Sequence, residues 1–201
     1  MTLVYPLNMP ASPKPLDASI YIERNQTTVE TFARKKQIHR NPGDRWIGKI
    51  SLPPMSASDA ADWLGFFDAL DGFVGTFSMP HPDYHMPRGS ALGSGLVDGG
   101  GQRGTTLQTR GWGVSQSVLF KRGDMLEVGG RLKRIVVDAA SGADGSAELT
   151  IMPALIESPA DTSPVIVTNP TGIFSLSDGF VAPTSDHLGH HRFSFAVEEA
   201  L

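Results

Sequence analysis

The sequence predicts a mainly β protein: a β-sandwich or barrel with a long β-hairpin and one short α-helix, at about residues 57–71, covering the sheet. Three observations predict this fold. The 201 residues include 22 glycines and 15 prolines, well above ordinary usage, and these residues divide the chain into short pieces separated by turns. Several of these pieces alternate apolar and polar residues with the period of a strand. Only one segment spaces its large apolar residues as a helix does.

The predicted helix lies in a strand–helix–strand unit over residues 46–79. The first strand alternates along residues 46–52 and is expected to end at two prolines, which cannot donate to a strand ladder. Ser56 is a favourable N-cap, and Gly72 is expected to supply the left-handed stop. One stripe of the helix carries four large apolar residues: Trp63, Phe66, Phe67 and Leu70. We expect this stripe to cover the open face of a β-structure.

Three consecutive segments are expected along the chain. Residues 1–16 contain four prolines and are predicted to form an extended N-terminal arm without a packed element. Residues 17–157 are predicted to form the β core, with the hairpin, the helix and the barrel, beginning with a strand at Ile20–Arg24. Residues 158–201 are predicted to form a C-terminal β segment. This segment is either a separate subdomain or part of the same core.

The long hairpin is predicted from Asn41–Asp44, where Pro42 presets φ and Gly43 accepts a positive φ. We expect this turn to pair residues 28–40 with 45–52. The hairpin is rich in cations, which gives five candidates for a subunit interface: Arg34, Lys35, Lys36, Arg40 and Arg45. Two interpretations stay open: a solvated edge strand whose lysines prevent sticking, or a docking surface for an acidic partner subunit.

A glycine-rich loop is expected at Pro80–Gly104, too long for an ordinary connection. His81, Asp83 and His85 lie close together in it and could contribute to a metal site. No further ligand is evident nearby, so we assign no metal. The glycines do not match a phosphate-binding loop either.

From Thr105 to Pro153 the sequence predicts successive strands joined by tight turns, enough for a small barrel or sandwich. Strands are expected over Thr105–Thr109, around Val118–Phe120, at Met125–Val128, at Arg131–Val137 and from Ala147 to Pro153. Further strands are expected at Val165–Thr168, Ile173–Ser177 and Phe193–Val197.

A second histidine group comprises Asp186, His187, His190 and His191. This spacing can recruit a metal or serve acid–base chemistry. The group lies in a glycine-bearing loop, where exposed histidines are common, and we assign no site to it.

The sequence predicts no enzyme, no catalytic residue and no cofactor. It lacks the G-x-S-x-G, H-E-x-x-H and EF-hand motifs. Trp112 with Asp98 or Asp124 could be imagined as a glycosidase cleft, but that chemistry needs two converging carboxylates. Trp112 and Tyr84, on loops of a β barrel, motivate one alternative function: a carbohydrate-binding β module in host-surface recognition.

The composition of the chain argues against several classes of partner and cellular location. The net charge of −4 argues against nucleic-acid binding, which needs a basic surface. The absence of any apolar run of about 18 residues predicts no membrane span. The first residues lack a basic region followed by an apolar core, so no secretory signal is expected. Zero cysteines exclude disulfides and thiolate chemistry.

The order of parts resembles the tail proteins of phages with long, non-contractile tails. The resemblance rests on Trp46-Ile47-Gly48, the helix from Ala60 to Gly72, Gly75-Thr76-Phe77, the loop Pro80–Gly104 and the turn Gly123-Asp124. The resemblance covers residues 45–155. It is to the distal tail, or tail-tip adaptor, proteins of siphophages, and it also admits another minor subunit of the tail tip.

This resemblance implies a structural virion protein, made in the host cytoplasm and located in the tail. Its expected partners are further copies of itself, in a ring that is typically a hexamer, together with the tail tube protein and the tail-tip hub proteins. The ring would connect the tail tube to the tip or baseplate complex.

Overall fold

The computed structural model describes residues 3–91 and 95–200. Residues 1–2 of the predicted arm, 92–94 of the predicted loop and 201 of the C-terminal segment lie outside the described residues. The described chain is mainly β, with several sheets, a six-stranded barrel and one short helix, which confirms the predicted fold class.

The helix α1 spans Ala57–Leu70. The strands, in chain order, are β1 Leu7–Asn8, β2 Asp17–Glu23, β3 Gln26–Glu30, β4 Lys36–Arg40, β5 Arg45–Ser51, β6 Phe77–Pro80, β7 Gly95–Val97, β8 Gly104–Arg110, β9 Met125–Val128, β10 Arg131–Ile135, β11 Ala147–Leu155, β12 Pro164–Ile166, β13 Thr171–Leu176, β14 Thr184–Ser185, β15 His191–Arg192 and β16 Ser194–Glu199.

The chain divides into two compact units, each built from separated segments. Of the residues that the structure describes, those within Met1–Tyr21, Ile47–His85 and Asn169–Ala200 form the first unit, and those within Ile22–Trp46 and Met86–Thr168 form the second. The segment after residue 158 contributes to both, since β12 lies in the barrel whereas β13 and β16 lie in the sheet of the first unit.

A six-stranded sheet with the order β1-β6-β13-β16-β5-β2 carries the helix of the first unit. The aromatic stripe of α1 packs on it, as predicted. The centroid of the Phe67 ring lies 5.1 Å from that of Phe195 and 5.6 Å from that of Phe193. Phe66 meets Phe77 edge-on, with the ring centroids 5.5 Å apart. The helix is therefore stabilised by burial of one face, since so short a helix is marginal alone.

The ends of α1 follow the expected signals with one correction. The Ser56 hydroxyl oxygen accepts a hydrogen bond from the Asp59 N–H at 3.3 Å, which confirms the N-cap. The left-handed stop begins one residue earlier than predicted, because Asp71 takes a φ of 49° before Gly72 takes one of 70°. Aspartate tolerates this conformation better than most residues with a side chain.

The N-terminal arm contains a short strand that the sequence did not predict. Leu7 and Asn8 pair in parallel with Phe77 and Ser78, and the Leu7 N–H donates to the Thr76 carbonyl at 2.8 Å. Four prolines suggested an arm without packed elements, and that expectation was wrong here because Leu7 and Asn8 lie between Pro6 and Pro10 with their backbone groups available.

The hairpin has a different turn from the predicted one. β3 pairs with β4 across the turn at residues 31–35, and β5 pairs instead with β16, with Ile50 opposite Phe195. The prediction that Asn41–Asp44 joins residues 28–40 to 45–52 was wrong. The reason is burial: Ile50 is fully buried and pairs where its face is covered, whereas every residue of β4 is exposed.

The barrel of the second unit closes in the order β10-β11-β8-β7-β12-β9. Its core includes fully buried aliphatic side chains: Val97, Leu107, Leu126, Ile135, Leu149 and Ile151. The predicted hairpin turn at Gly129-Gly130 is confirmed by the pairing of Val128 with Arg131.

Several details of the barrel differ from the sequence prediction. β10 ends at Ile135 and not at Val137, and β12 spans Pro164–Ile166 and not Val165–Thr168. β7 lies inside the segment predicted as a loop. β11 continues through Pro153 to Leu155, because its register shifts after Thr150 and a proline is tolerated at such an irregularity. Around Val118–Phe120 only an isolated bridge between Phe120 and Ala139 forms, in place of the predicted strand.

Candidate functional site

The β3–β4 hairpin is exposed along its whole length. All five residues of β3 and all five of β4 are exposed, as are the turn residues 31–35. A two-stranded hairpin without a packing partner is marginally stable in water, so such an element suits contact with another surface.

The tip of this hairpin, residues 31–36, presents an aromatic ring. The Phe32 side chain is fully exposed to solvent. The turn that carries it is ordered by backbone hydrogen bonds: the Thr31 N–H donates to the Lys35 carbonyl at 2.9 Å, and the Arg34 N–H donates to the Thr31 carbonyl at 2.8 Å. A fully exposed phenylalanine gains hydrophobic free energy only when a partner covers it.

The five predicted interface cations fall into two groups. Arg40 binds the Asp44 carboxylate at 2.8 Å, and Arg45 binds Glu23 at 3.0 Å. The other three are at the tip and form no ion pair with any residue of the described chain: Arg34, Lys35 and Lys36. The tip cations remain the candidates for contact with another subunit.

Asp44 holds the base of the hairpin. Its buried carboxylate accepts hydrogen bonds from Arg24 Nη1 and Arg40 Nη2, both at 2.8 Å, and from the Asn25 N–H at 3.0 Å. Burial alone would raise the pKa of Asp44, but the bonds from Arg40, Arg24 and Asn25 outweigh it, so the pKa lies below its ordinary value. The predicted turn residue is thus an ionic clamp.

We expect Asp44→Asn to lower the free energy of unfolding by about 1–2 kcal/mol and to speed tryptic cleavage at the tip. The loss is smaller than for a fully buried pair, because Arg24 and Arg40 are 38% and 50% exposed and water can solvate them. Urea unfolding and timed trypsin digestion measure both effects. Glu157→Gln, at an exposed position, is the matched control, and equal behaviour of the two variants would contradict the clamp.

The clamp also predicts an acid dependence. Because the folded pKa of Asp44 is depressed, its stabilisation is complete above the unfolded pKa of about 3.9 and is lost as the pH falls through the lower folded value. The difference in stability between the wild type and Asp44→Asn should therefore shrink below about pH 4.

The first histidine group makes contacts within the first unit. His81 is buried and its Nδ1 accepts the Asp83 N–H at 3.2 Å, while His85 Nδ1 lies 3.2 Å from Asn169 Oδ1. In the second group, His190 Nδ1 lies 3.2 Å from Asp186 Oδ2, and His191 Nδ1 lies 3.0 Å from Ser185 Oγ. Across residues 3–91 and 95–200, no three histidines or carboxylates are grouped as a metal site requires.

The aromatic residue that motivated carbohydrate binding is buried. Trp112 packs edge-on against Phe120 at 5.3 Å and donates from Nε1 to Thr109 Oγ1 at 2.7 Å. Its ring has no free face for a sugar, so the interpretation of Trp112 as a stacking platform was wrong. Tyr84 is half-buried. Asp98 and Asp124 are each bound by an arginine, Arg110 and Arg88 respectively.

No helix of the described chain is both long and apolar enough to cross a membrane.

No family model matches the chain, and no curated protein matches it.

Sequence reasoning identified the cations of the tip but missed Phe32. A signal was present, since Phe32 is the one aromatic residue among the basic and polar residues of 26–40. A phenylalanine in a strand is expected to lie on the apolar face of a sheet. Phe32 lies instead in a turn, at residues 31–35, whereas the sequence predicted the turn ten residues further along the chain, at Asn41–Asp44.

Proposed function

We propose that this protein is a structural subunit of a phage virion, which forms a ring of identical copies in the tail tip and connects the tail tube to the tip or baseplate complex. The observation that carries the proposal is the β3–β4 hairpin, which is exposed on both faces and ends in Phe32 and three cations without ion pairs. Such an element serves contact between subunits.

The energetics support an assembly role. Each residue held in one conformation costs about 1–2 kcal/mol of backbone entropy, and the hairpin buries none of its residues in return. A neighbouring subunit that covers the hairpin offsets this cost. A head-to-tail contact repeated between identical subunits closes into a ring when the rotation between neighbours permits it.

The resemblance to distal tail proteins supports the place of the ring within the tail. Three of the segments that carry it adopt the elements expected of them: Trp46–Gly48 lies in a strand, Ala60–Gly72 includes most of α1, and Phe77 begins the next strand. The loop Pro80–Gly104 departs from the expectation, since it contains β7. In this role the protein works by contact, without a cofactor and without changing a bond, and its partners are the tail tube and tail-tip hub proteins.

Native mass spectrometry and negative-stain electron microscopy of the purified full chain test the proposal. We expect a closed oligomer of defined subunit number, with six as the number that the resemblance implies, and we expect the protein among the components of purified phage particles. A chain that stays monomeric at every concentration and is absent from the particles would refute the proposed function.

A further inference from the structure

A cleft opens beside the C-terminal end of α1, within the first unit. It has a volume of about 270 Å³, and its lining includes Leu64, Phe67, Asp68, Asp71, Leu176 and Phe180. The cleft is large enough to accept an aromatic ring, and its lining combines apolar side chains, such as Leu64 and Phe180, with the carboxylates of Asp68 and Asp71.

Exposed aromatic side chains border this cleft. Phe180 is 75% exposed and Phe73 is 68% exposed. The Phe73 ring lies against Gly179, where a Cβ atom would overlap it, so the ring rests directly on the backbone. Contiguous exposed apolar groups with a polar rim are typical of interaction sites.

The charge of the cleft is negative. Exposed Asp68 and Asp71 line it, exposed Asp178 precedes Gly179, and no lysine, arginine or histidine is among the lining residues. The last turn of α1 contains no basic residue, so the negative end of the helix dipole is not neutralised within the helix and adds to this potential. The cleft therefore suits an apolar group flanked by cations.

The hairpin tip of the same chain has that composition. Phe32 is fully exposed, and Arg34, Lys35 and Lys36 follow within four residues, all exposed and without ion pairs in the described chain. A phenylalanine in the cleft would bury an aromatic ring against Leu64 and Phe180. The adjacent cations would face the three carboxylates, and such charge complementarity fixes register and speeds encounter.

We infer that the tip of the β3–β4 hairpin docks into the α1 cleft of a second copy of this chain. Tip and cleft are different surfaces, so the contact is head-to-tail and each copy offers one of each to its neighbours. The inference rests on the proposed function for its place in a ring and adds the surfaces that join the subunits.

Substitutions in the tip and in the cleft of the full chain test this contact by sedimentation velocity. The tip variants are Phe32→Ala and the double change Lys35→Glu with Lys36→Glu, and the cleft variant is Asp68→Lys with Asp178→Lys. We expect each to weaken self-association about tenfold or more, as loss of a central anchor does. An equimolar mixture of the charge-reversed tip and cleft variants should recover association, because each retains one unaltered surface and their altered surfaces are again complementary.

Lys121→Glu and Asp62→Lys, at exposed positions outside the tip and the cleft, are the controls and should associate as the wild type does. Circular dichroism verifies that every variant is folded.

If the tip and cleft variants assemble as the wild type does, the inference is overturned, while the proposed ring would be formed through another surface. A monomeric wild type overturns both, and association of a protein that is absent from phage particles supports this contact while refuting the proposed function.

Discussion

Replacing Phe67 by alanine is expected to lower the free energy of unfolding by about 3–5 kcal/mol, among the larger costs of a single core substitution. Phe67 joins α1 to the sheet, with its ring within 5.1–5.7 Å of the rings of Phe195, Phe193, Phe66 and Trp63. Truncation removes the buried ring and leaves a cavity among aromatic groups, which cannot close together without shifting the helix.

Guanidinium unfolding followed by tryptophan fluorescence measures this loss, because Trp63 lies 5.7 Å from Phe67 and reports on the same contact. Asp62→Ala, an exposed position on the same helix, is the matched control and should change stability by less than about 0.5 kcal/mol. A Phe67→Ala variant as stable as this control would mean that α1 does not depend on its aromatic stripe.

Replacing Gly95 by alanine should destabilise the barrel by about 3 kcal/mol, although the change adds only one methyl group. A Cβ atom at residue 95 would overlap the six-membered ring of Trp112. That ring cannot move aside, because its Nε1 donates to Thr109 and it packs perpendicular to the Phe120 ring. The strand β7 or the indole must therefore be displaced, which costs packing in either case.

Gly100→Ala is the matched control for this substitution, since no atom lies within 4 Å of a Cβ at residue 100. Its unfolding transition should be close to that of the wild type. Hydrogen exchange followed by mass spectrometry should show lost protection in β7, β8 and β12 for Gly95→Ala alone. Equal protection in the two variants would contradict the close approach of β7 to Trp112.

The sequence by itself determined the local elements of this protein. The spacing of Trp63, Phe66, Phe67 and Leu70 predicted the helix and its buried face, and Ser56 predicted where the helix begins. Gly129-Gly130 predicted the tight turn between β9 and β10. These features depend on residues within one or two turns of chain, so their physical chemistry can be read without knowing the rest of the fold.

Only the tertiary structure decided which strands pair and which charges stay available. The turn-forming residues Asn41–Asp44 directly precede β5 in sequence, but β5 pairs with β16, about 150 residues away. Burial of the apolar face of β5 stabilises the protein more than a local hairpin would. The candidate site depends on the same long-range choice. Asp44 and Glu23 bind two of the five predicted cations, and the turn at residues 31–35 leaves the other three beside an exposed Phe32. The sequence shows how many cations a segment contains. Whether each cation is free to bind a partner depends on the carboxylates that the fold places beside it.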